Sequence, residues 1–220
     1  MEDEARWSAV DDYITGLLVP PDPGLDAALA ANEAAGLPKI DVSAAQGKFL
    51  HLLARMIGAR RILEIGTLGG YSTIWLARAL PADGQLVTLE AVAHHADVAQ
   101  ANLAHAGLAD RVAVRLGPAL DSLPALAEEA PFDLVFIDAD KQSNADYLAW
   151  ALRLTRQGSV IVCDNVVRSG QVVDATSNDP SVTGTRRFFE ALAAEPRLCA
   201  TALQTVGHKG WDGFAIALVG

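Results

Sequence analysis

From residue 60 onward the chain alternates short, near-continuous apolar runs with helical segments, and this rhythm limits its fold more than any other feature. Arg61–Ile65, Gln85–Leu89, Val112–Leu116, Asp133–Ile137 and Ser159–Cys163 read as strands, with helices at Tyr71–Ala79, His94–His105, Leu120–Glu129 and Asp146–Leu154 between them. Strands that are apolar throughout need cover on both faces, and helical connections of this length return the chain to the same end of the sheet. A doubly wound α/β architecture is expected. After Cys163 the rhythm lapses into a polar loop, Asp164 to Pro180, followed by a helix near Arg186–Ala194. Two further runs, Leu198–Gln204 and Gly213–Val219, lie close enough in sequence to form an antiparallel hairpin, completing a seven-stranded, mainly parallel sheet.

Residues 1–58 read differently. Val10, Ile14, Leu17 and Leu18 share one helical face, and Phe49, Leu50, Leu53, Met56 and Ile57 share another. Pro20, Pro21 and Pro23 end the first helix, the Ala-rich stretch from Asp22 to Ala35 forms a second, and Ser43 with Gln46 makes a capping box for the third. With 220 residues, 1–220 is expected to be a single domain in which 1–58 is a helical extension and 59–220 the core.

Composition removes several classes of function. Seventeen basic against twenty-seven acidic residues gives a net charge of −10, with no basic stripe to neutralise phosphates, so nucleic acid is excluded as a partner. The start Met1-Glu2-Asp3-Glu4 is acidic where a secretory signal is basic, and no apolar run approaches the roughly 20 residues that span a bilayer. No membrane association and a cytoplasmic location are expected. Cys163, at the end of an apolar strand, reads as a buried reduced thiol. The five histidines lack metal-ligand spacing, and no G-x-S-x-G elbow is present.

Chemistry in such sheets sits at the carboxyl ends of the strands. Ile62-Leu63-Glu64-Ile65-Gly66-Thr67-Leu68-Gly69-Gly70-Tyr71-Ser72 is a strand, a glycine turn and a helix start, built as G-x-x-G-G instead of the dinucleotide G-x-G-x-x-G. An acid at Glu64 suits a ligand carrying positive charge, such as the amino group of S-adenosylmethionine, and Glu90, 24 residues after Gly66, suits the hydroxyls of a ribose. Asp138 ends one strand, and Asp164 with Asn165 ends the next. If the two strands are neighbours, these residues converge into an oxygen-only set suited to Mg²⁺. Lys141, three residues after Asp138, is placed to swing over that site.

The runs LEIGTLGGYSTIWLA, LVTLEA, FDLVFIDADK and CDNVV resemble the cation-dependent O-methyltransferases, the family of catechol and caffeoyl-CoA O-methyltransferases and their small bacterial relatives. The resemblance extends from VSAAQGKFLHLL at Val42 to the closing DGFAIAL. It implies a Rossmann-like fold, a homodimer, S-adenosylmethionine as methyl donor and Mg²⁺ or another divalent cation. It places the donor against Val42, Glu64, Gly66, Thr67, Ser72, Glu90, Ala119 and Asp138, the metal on Asp138, Asp164 and Asn165, and the general base at Lys141. The acceptor it implies is a small aromatic of the catechol type. Two departures stand out: Gly117-Pro118-Ala119 where many relatives have Gly-Asp-Ala, and Gln142-Ser143-Asn144 where many have an aromatic. In the loop after Asn165, Val166, Val167, Val172 and Val173 are expected to border the acceptor, while Arg168 is either a solvated arginine or the partner of an acceptor's carboxylate or phosphate. An NAD-dependent dehydrogenase or an inert nucleoside-binding module are the alternatives. The first leaves the Asp138, Asp164, Asn165 set unexplained and the second leaves it idle.

Overall fold

The computed structural model describes residues 2–220. Three helices lead: α1 (Glu2–Leu18), α2 (Pro23–Ala34) and α3 (Ala44–Met56). β1 (Arg61–Ile65), α4 (Tyr71–Ala79), β2 (Gln85–Glu90), α5 (Ala93–His105), β3 (Val112–Leu116), the single-turn α6 (Ala119–Ser122) and β4 (Phe132–Ile137) follow. The chain ends with α7 (Asn144–Leu154), β5 (Thr155–Asp164), α8 (Pro180–Ala194), β6 (Leu198–Gly207) and β7 (Gly210–Val219). The strands form one seven-stranded sheet in the order β3-β2-β1-β4-β5-β7-β6. β1 to β5 run parallel, and β7 pairs antiparallel with both β5 and β6. This is the doubly wound, Rossmann-like sheet with a C-terminal hairpin that the apolar rhythm required.

Alternation along β1 shows how both faces are covered. Ile62 packs with α2, α3, α4 and α5, whereas Leu63 and Ile65 pack with α7, α8 and the 3₁₀ turn Leu123–Glu128. Helix α3 is therefore a layer of the core and not an appendage: Leu50 and Ala54 are buried against α4. Met56, read with that apolar face, is 82% exposed. Ser43 caps α3 by accepting the Gln46 amide at 3.2 Å, but the Gln46 side chain turns to Asp164, so only half of the capping box forms. Asp22 caps α2 through Gly24 and Leu25 and also pairs with Arg78.

Three differences from the sequence reading are the largest. The expected helix Leu120–Glu129 is one α-turn followed by a 3₁₀ turn, because Pro124 cannot supply the amide an α-helix needs there. Helix α8 begins at Pro180, six residues earlier than read, with Asp179 capping it through the Ser181 amide at 2.7 Å. β5 starts at Thr155, four residues early, and Gly158 takes a positive φ of 86° within it. Among the described residues, no helix is long and apolar enough to cross a membrane.

Helices α3 and α4 approach so closely that a Cβ built on Gly47 would lie 2.3 Å from the Trp75 ring. Gly47→Ala is expected to lower stability: overpacking costs about 1–3 kcal/mol, against at most about 1 kcal/mol gained in helix propensity. Urea unfolding should show a lower midpoint at an unchanged slope. A variant more stable than the parent would mean that the indole moves aside without strain.

Candidate active site

The chain leaves β1 toward β2 and β3 on one side and returns to β4 on the other, which opens a crevice at the carboxyl ends of β1 and β4. Two backbone bonds close its floor: Gly66 donates to the Leu89 carbonyl at 3.0 Å, and Asp138 donates to the Ile65 carbonyl at 2.8 Å. Gly66 has a φ of 98°, and a Cβ there would sit 2.1 Å from the Asp138 carbonyl oxygen. Only glycine lets the turn run this close to Asp138.

Glu64 shares a sheet face with Ile62, but its carboxylate is fully buried. Ser72 and Thr73 of α4 donate to it at 2.6 and 2.5 Å, and Thr88 of β2 at 2.7 Å, with Thr67 bonded to Thr88 in turn. Burial pushes its pKa up to about 7 in spite of the three hydroxyl donors, and Asp138 adds to the rise. Glu64, read from the sequence as a contact of the donor's positive charge, is not among the residues that line the crevice. It lies beneath the crevice and fixes Ser72, which does line it. The glycine turn itself is held by Glu90, whose Oε2 accepts the amides of Thr67 and Leu68 at 3.2 and 2.8 Å while Oε1 accepts that of Val92 at 2.9 Å. His95, on the first turn of α5, stands 3.5 Å from Glu90.

Because β4 and β5 are neighbours, Asp138, Asp164 and Asn165 come together as expected. Lys141 Nζ donates to Asp138 Oδ1 at 2.7 Å and is buried. Burial works against its charge, but Asp138 and Asp164 outweigh it and hold the ammonium more firmly protonated than usual. Asp164 is pushed well above the usual carboxylate range by burial and by Asp138, with the Asn165 amide and Gln46 opposing. Gly184 of α8 keeps this segment in place: a Cβ there would meet the Lys141 carbonyl and the Gln142 backbone at 2.4 Å. Asp138 and Asp164, with Asn165 next in the chain and lining both cavities, offer oxygen donors of the kind a hard divalent cation takes.

Two cavities meet at this corner. One, of about 730 Å³, is lined by Val42, Gly66, Thr67, Ser72, Glu90, Ala119, Asp138 and Lys141, with Pro118 beside Ala119. The other, of about 560 Å³, lies toward α1, α3 and the β6–β7 turn and contains Asp164. Ile40, Asp41, Val42, Asn165 and Arg168 belong to both. Of the loop valines, Val166 and Val167 are buried, Val166 in the core, and Val173 is 83% exposed, so they do not border the cavities. Sequence reading also missed Asp41, His95 and Tyr147. Tyr147 brings an aromatic ring to the larger cavity, its hydroxyl donating to Asp140, seven residues before it, at 2.5 Å. Its place on the first turns of α7, beyond a strand-end motif, is the signal that could have found it.

Known proteins agree with this geometry. A family model described as O-methyltransferase matches residues 26–216. A catechol O-methyltransferase of Mycobacterium tuberculosis is 58% identical over 219 residues, covering 100% of this chain and 99% of that protein. The O-methyltransferase from Bacillus cereus, solved in complex with SAH, superposes with a TM-score of 0.97 at 60% identity, covering 98% and 99% of the two chains. The O-methyltransferase TomG from Streptomyces achromogenes, solved with SAM, gives a TM-score of 0.96 at 53% identity, covering 100% and 99%.

Glu64 generates a pH prediction. Its folded pKa is raised, so the stabilisation it contributes is complete below its ordinary value near 4.5 and is lost as pH rises through about 7. The loss should total about 3 kcal/mol, at about 1.4 kcal/mol per pH unit. Asp164 slopes the same way, so Glu64→Gln should flatten the decline between pH 5 and 8 without abolishing it. Equal urea-midpoint slopes for variant and parent would contradict the burial of an ionisable Glu64.

Proposed function

Because the chain belongs to the O-methyltransferase family and is an S-adenosylmethionine-dependent enzyme, we propose that it methylates one hydroxyl of a catechol-type acceptor with the help of Mg²⁺ or another divalent cation. The observation that carries this reading is the set Asp138, Asp164 and Asn165, standing where the two cavities join, with Lys141 buried against it. The name of the Mycobacterium tuberculosis relative supports the acceptor class.

In this reading the donor occupies the larger cavity, against Val42, Gly66, Thr67, Ser72, Glu90, Ala119 and Asp138, and the acceptor approaches from the smaller one. Glu64 acts through Ser72. Glu90 already accepts three amides, which leaves a carboxylate about one acceptor position for a ribose hydroxyl. Pro118 offers no side-chain donor or acceptor, so Ala119 and the neighbouring backbone form the wall there.

Asp138, Asp164 and Asn165 would hold the cation, which when bound supplies charge that favours an ionised phenol and selects two adjacent oxygens by chelation. Were Asp138 and Asp164 neutralised by such a cation, Lys141 would lose the field that now keeps it charged, and burial would lower its pKa. Nζ can then accept the phenolic proton. The phenolic oxygen forms a bond to the methyl carbon as the carbon–sulfur bond breaks, and the electron pair of that bond leaves on a neutral thioether. Anion and sulfonium cancel along the way, so the protein contributes chiefly by excluding water and aligning the two reactants.

The remaining expectations take their support from particular residues. Residues 1–58 and 59–220 work as one domain, since α2 and α3 share a core with β1 and α4. A homodimer is supported by α1, where Tyr13, Leu17 and Leu18 stay exposed, whereas the Ala-rich α2 buries Leu25 and Ala28 within the chain. A cytoplasmic location accords with two unpaired cysteines, Cys163 and Cys199.

With labelled S-adenosylmethionine, vicinal diphenols should be methylated, monophenols should not, and chelation should abolish turnover until Mg²⁺ is restored. Asp138→Ala should remove activity, and Lys141→Met should lower kcat by roughly 100-fold or more, the range for general base catalysis, with the donor KM little changed. Full turnover after exhaustive chelation would overturn the cation-dependent reading.

A further inference from the structure

The smaller cavity holds four carboxylates and three cations, and nearly all of them are matched. Asp11 accepts the His208 amide at 2.9 Å, Asp41 accepts Asn32 Nδ2 at 2.8 Å, and Asp212 Oδ1 accepts the amides of Val167, Arg168 and Gly213 at 2.9, 3.1 and 3.0 Å. Asp164 belongs to the proposed cation set. Among the cations, Lys39 pairs with Glu33 at 2.6 Å, and Lys209 donates to the Lys39 carbonyl at 3.3 Å. Arg168 is the exception. Among the described residues its guanidinium donates no hydrogen bond, its Nε is shut off from solvent without a partner, and its one ionic neighbour is Asp212 Oδ2 at 3.9 Å.

The backbone that carries the guanidinium is also held in place. Arg168 and Ser169 have φ values of 57° and 54°, following Asn165 at 56°, so the loop folds back on itself beside Asn165. Asp212 fastens that fold through the Val167 and Arg168 amides, and Arg168 lines both cavities. A planar fork of five donors, partly buried and lacking a hydrogen-bonding partner, has the form of a carboxylate receptor.

We propose that Arg168 is a specificity-determining residue that recognises a carboxylate carried by the diphenol acceptor, either on the ring or on a short side chain. This inference rests on the catechol reading above and narrows it: the preferred acceptor is an anionic catechol. A neutral or cationic catechol leaves the fork unpaired, and an ammonium substituent meets it with like charge.

The test compares KM for catechol, 3,4-dihydroxybenzoate and 4-(2-aminoethyl)catechol in the Mg²⁺-supplied enzyme, alongside calorimetric binding of the same compounds with S-adenosylhomocysteine present. The carboxylated compound is expected to show a KM and a dissociation constant lower than those of catechol by roughly tenfold to a hundredfold, as for a charge-assisted hydrogen bond, with the amine weakest. Arg168→Met should bring the carboxylated compound and catechol together, and Arg168→Lys should retain part of the difference. Equal constants for the two compounds in the parent enzyme, or a preference that survives Arg168→Met, would overturn the proposal. If no diphenol is methylated, the catechol reading fails, and the calorimetric comparison of parent and Arg168→Met decides the role of Arg168 separately.

Discussion

The backbone of Gly66 running against the carbonyl of Asp138 is the contact on which the rest of the site depends. It joins the ends of β1 and β4 at the point where the sheet changes direction, and it leaves no room for a side chain. The glycine turn that faces the larger cavity and the acid that borders the joint between cavities are thereby neighbours through the main chain, whose relative position does not depend on rotamers. Glu90 and Gly184 extend the same rigidity, the first by holding the turn through three amides and the second by letting α8 press on the Lys141 segment. A site that must align two reactants gains from being built on strand ends and backbone contacts.

Around that contact the molecule gathers charge that it does not neutralise by itself. Asp138 disfavours ionisation of both Glu64 and Asp164, and Lys141 is the cation buried beside Asp138 and Asp164. Such an arrangement costs stability in the absence of ligands and becomes favourable when positive charge enters. A sulfonium donor and a divalent cation are two such charges, and the proposed reaction uses both. The proposal for Arg168 adds the opposite sign where the two cavities join, so the acceptor would meet a cation set and a guanidinium together.

Much of this was legible in the residues because parallel strands buried on both faces cannot hide: their apolar runs located all five, and the polar residues that end them located Glu64, Glu90, Asp138 and Asp164. What failed did so for physical reasons. Period 3.0 and period 3.6 are indistinguishable over a run as short as LPALAE, so a 3₁₀ turn was read as a helix. Thr183, Gly184 and Thr185 are poor helix formers, yet α8 includes them because Gly184 is needed for close packing. Glu64, the last residue but one of β1, points beneath the cavity, a distinction that depends on the hydroxyls of Ser72, Thr73 and Thr88 converging from two other elements. The valines after Asn165 were assigned to the acceptor, whereas the reversal of the loop sends Val166 into the core and leaves Arg168 at the cavities. Pro124 made the first of these choices locally; tertiary packing, which sequence spacing does not encode, made the others.

The most direct measurement is the binding of Mn²⁺, as a spectroscopic substitute for Mg²⁺, followed by electron paramagnetic resonance in the parent protein and in Asp164→Ala. One bound ion per chain in the parent, lost in the variant, with a spectrum that changes on adding catechol but not phenol, is the predicted result. Absence of a bound ion, or binding of equal strength in Asp164→Ala, would contradict a cation held between Asp138, Asp164 and Asn165.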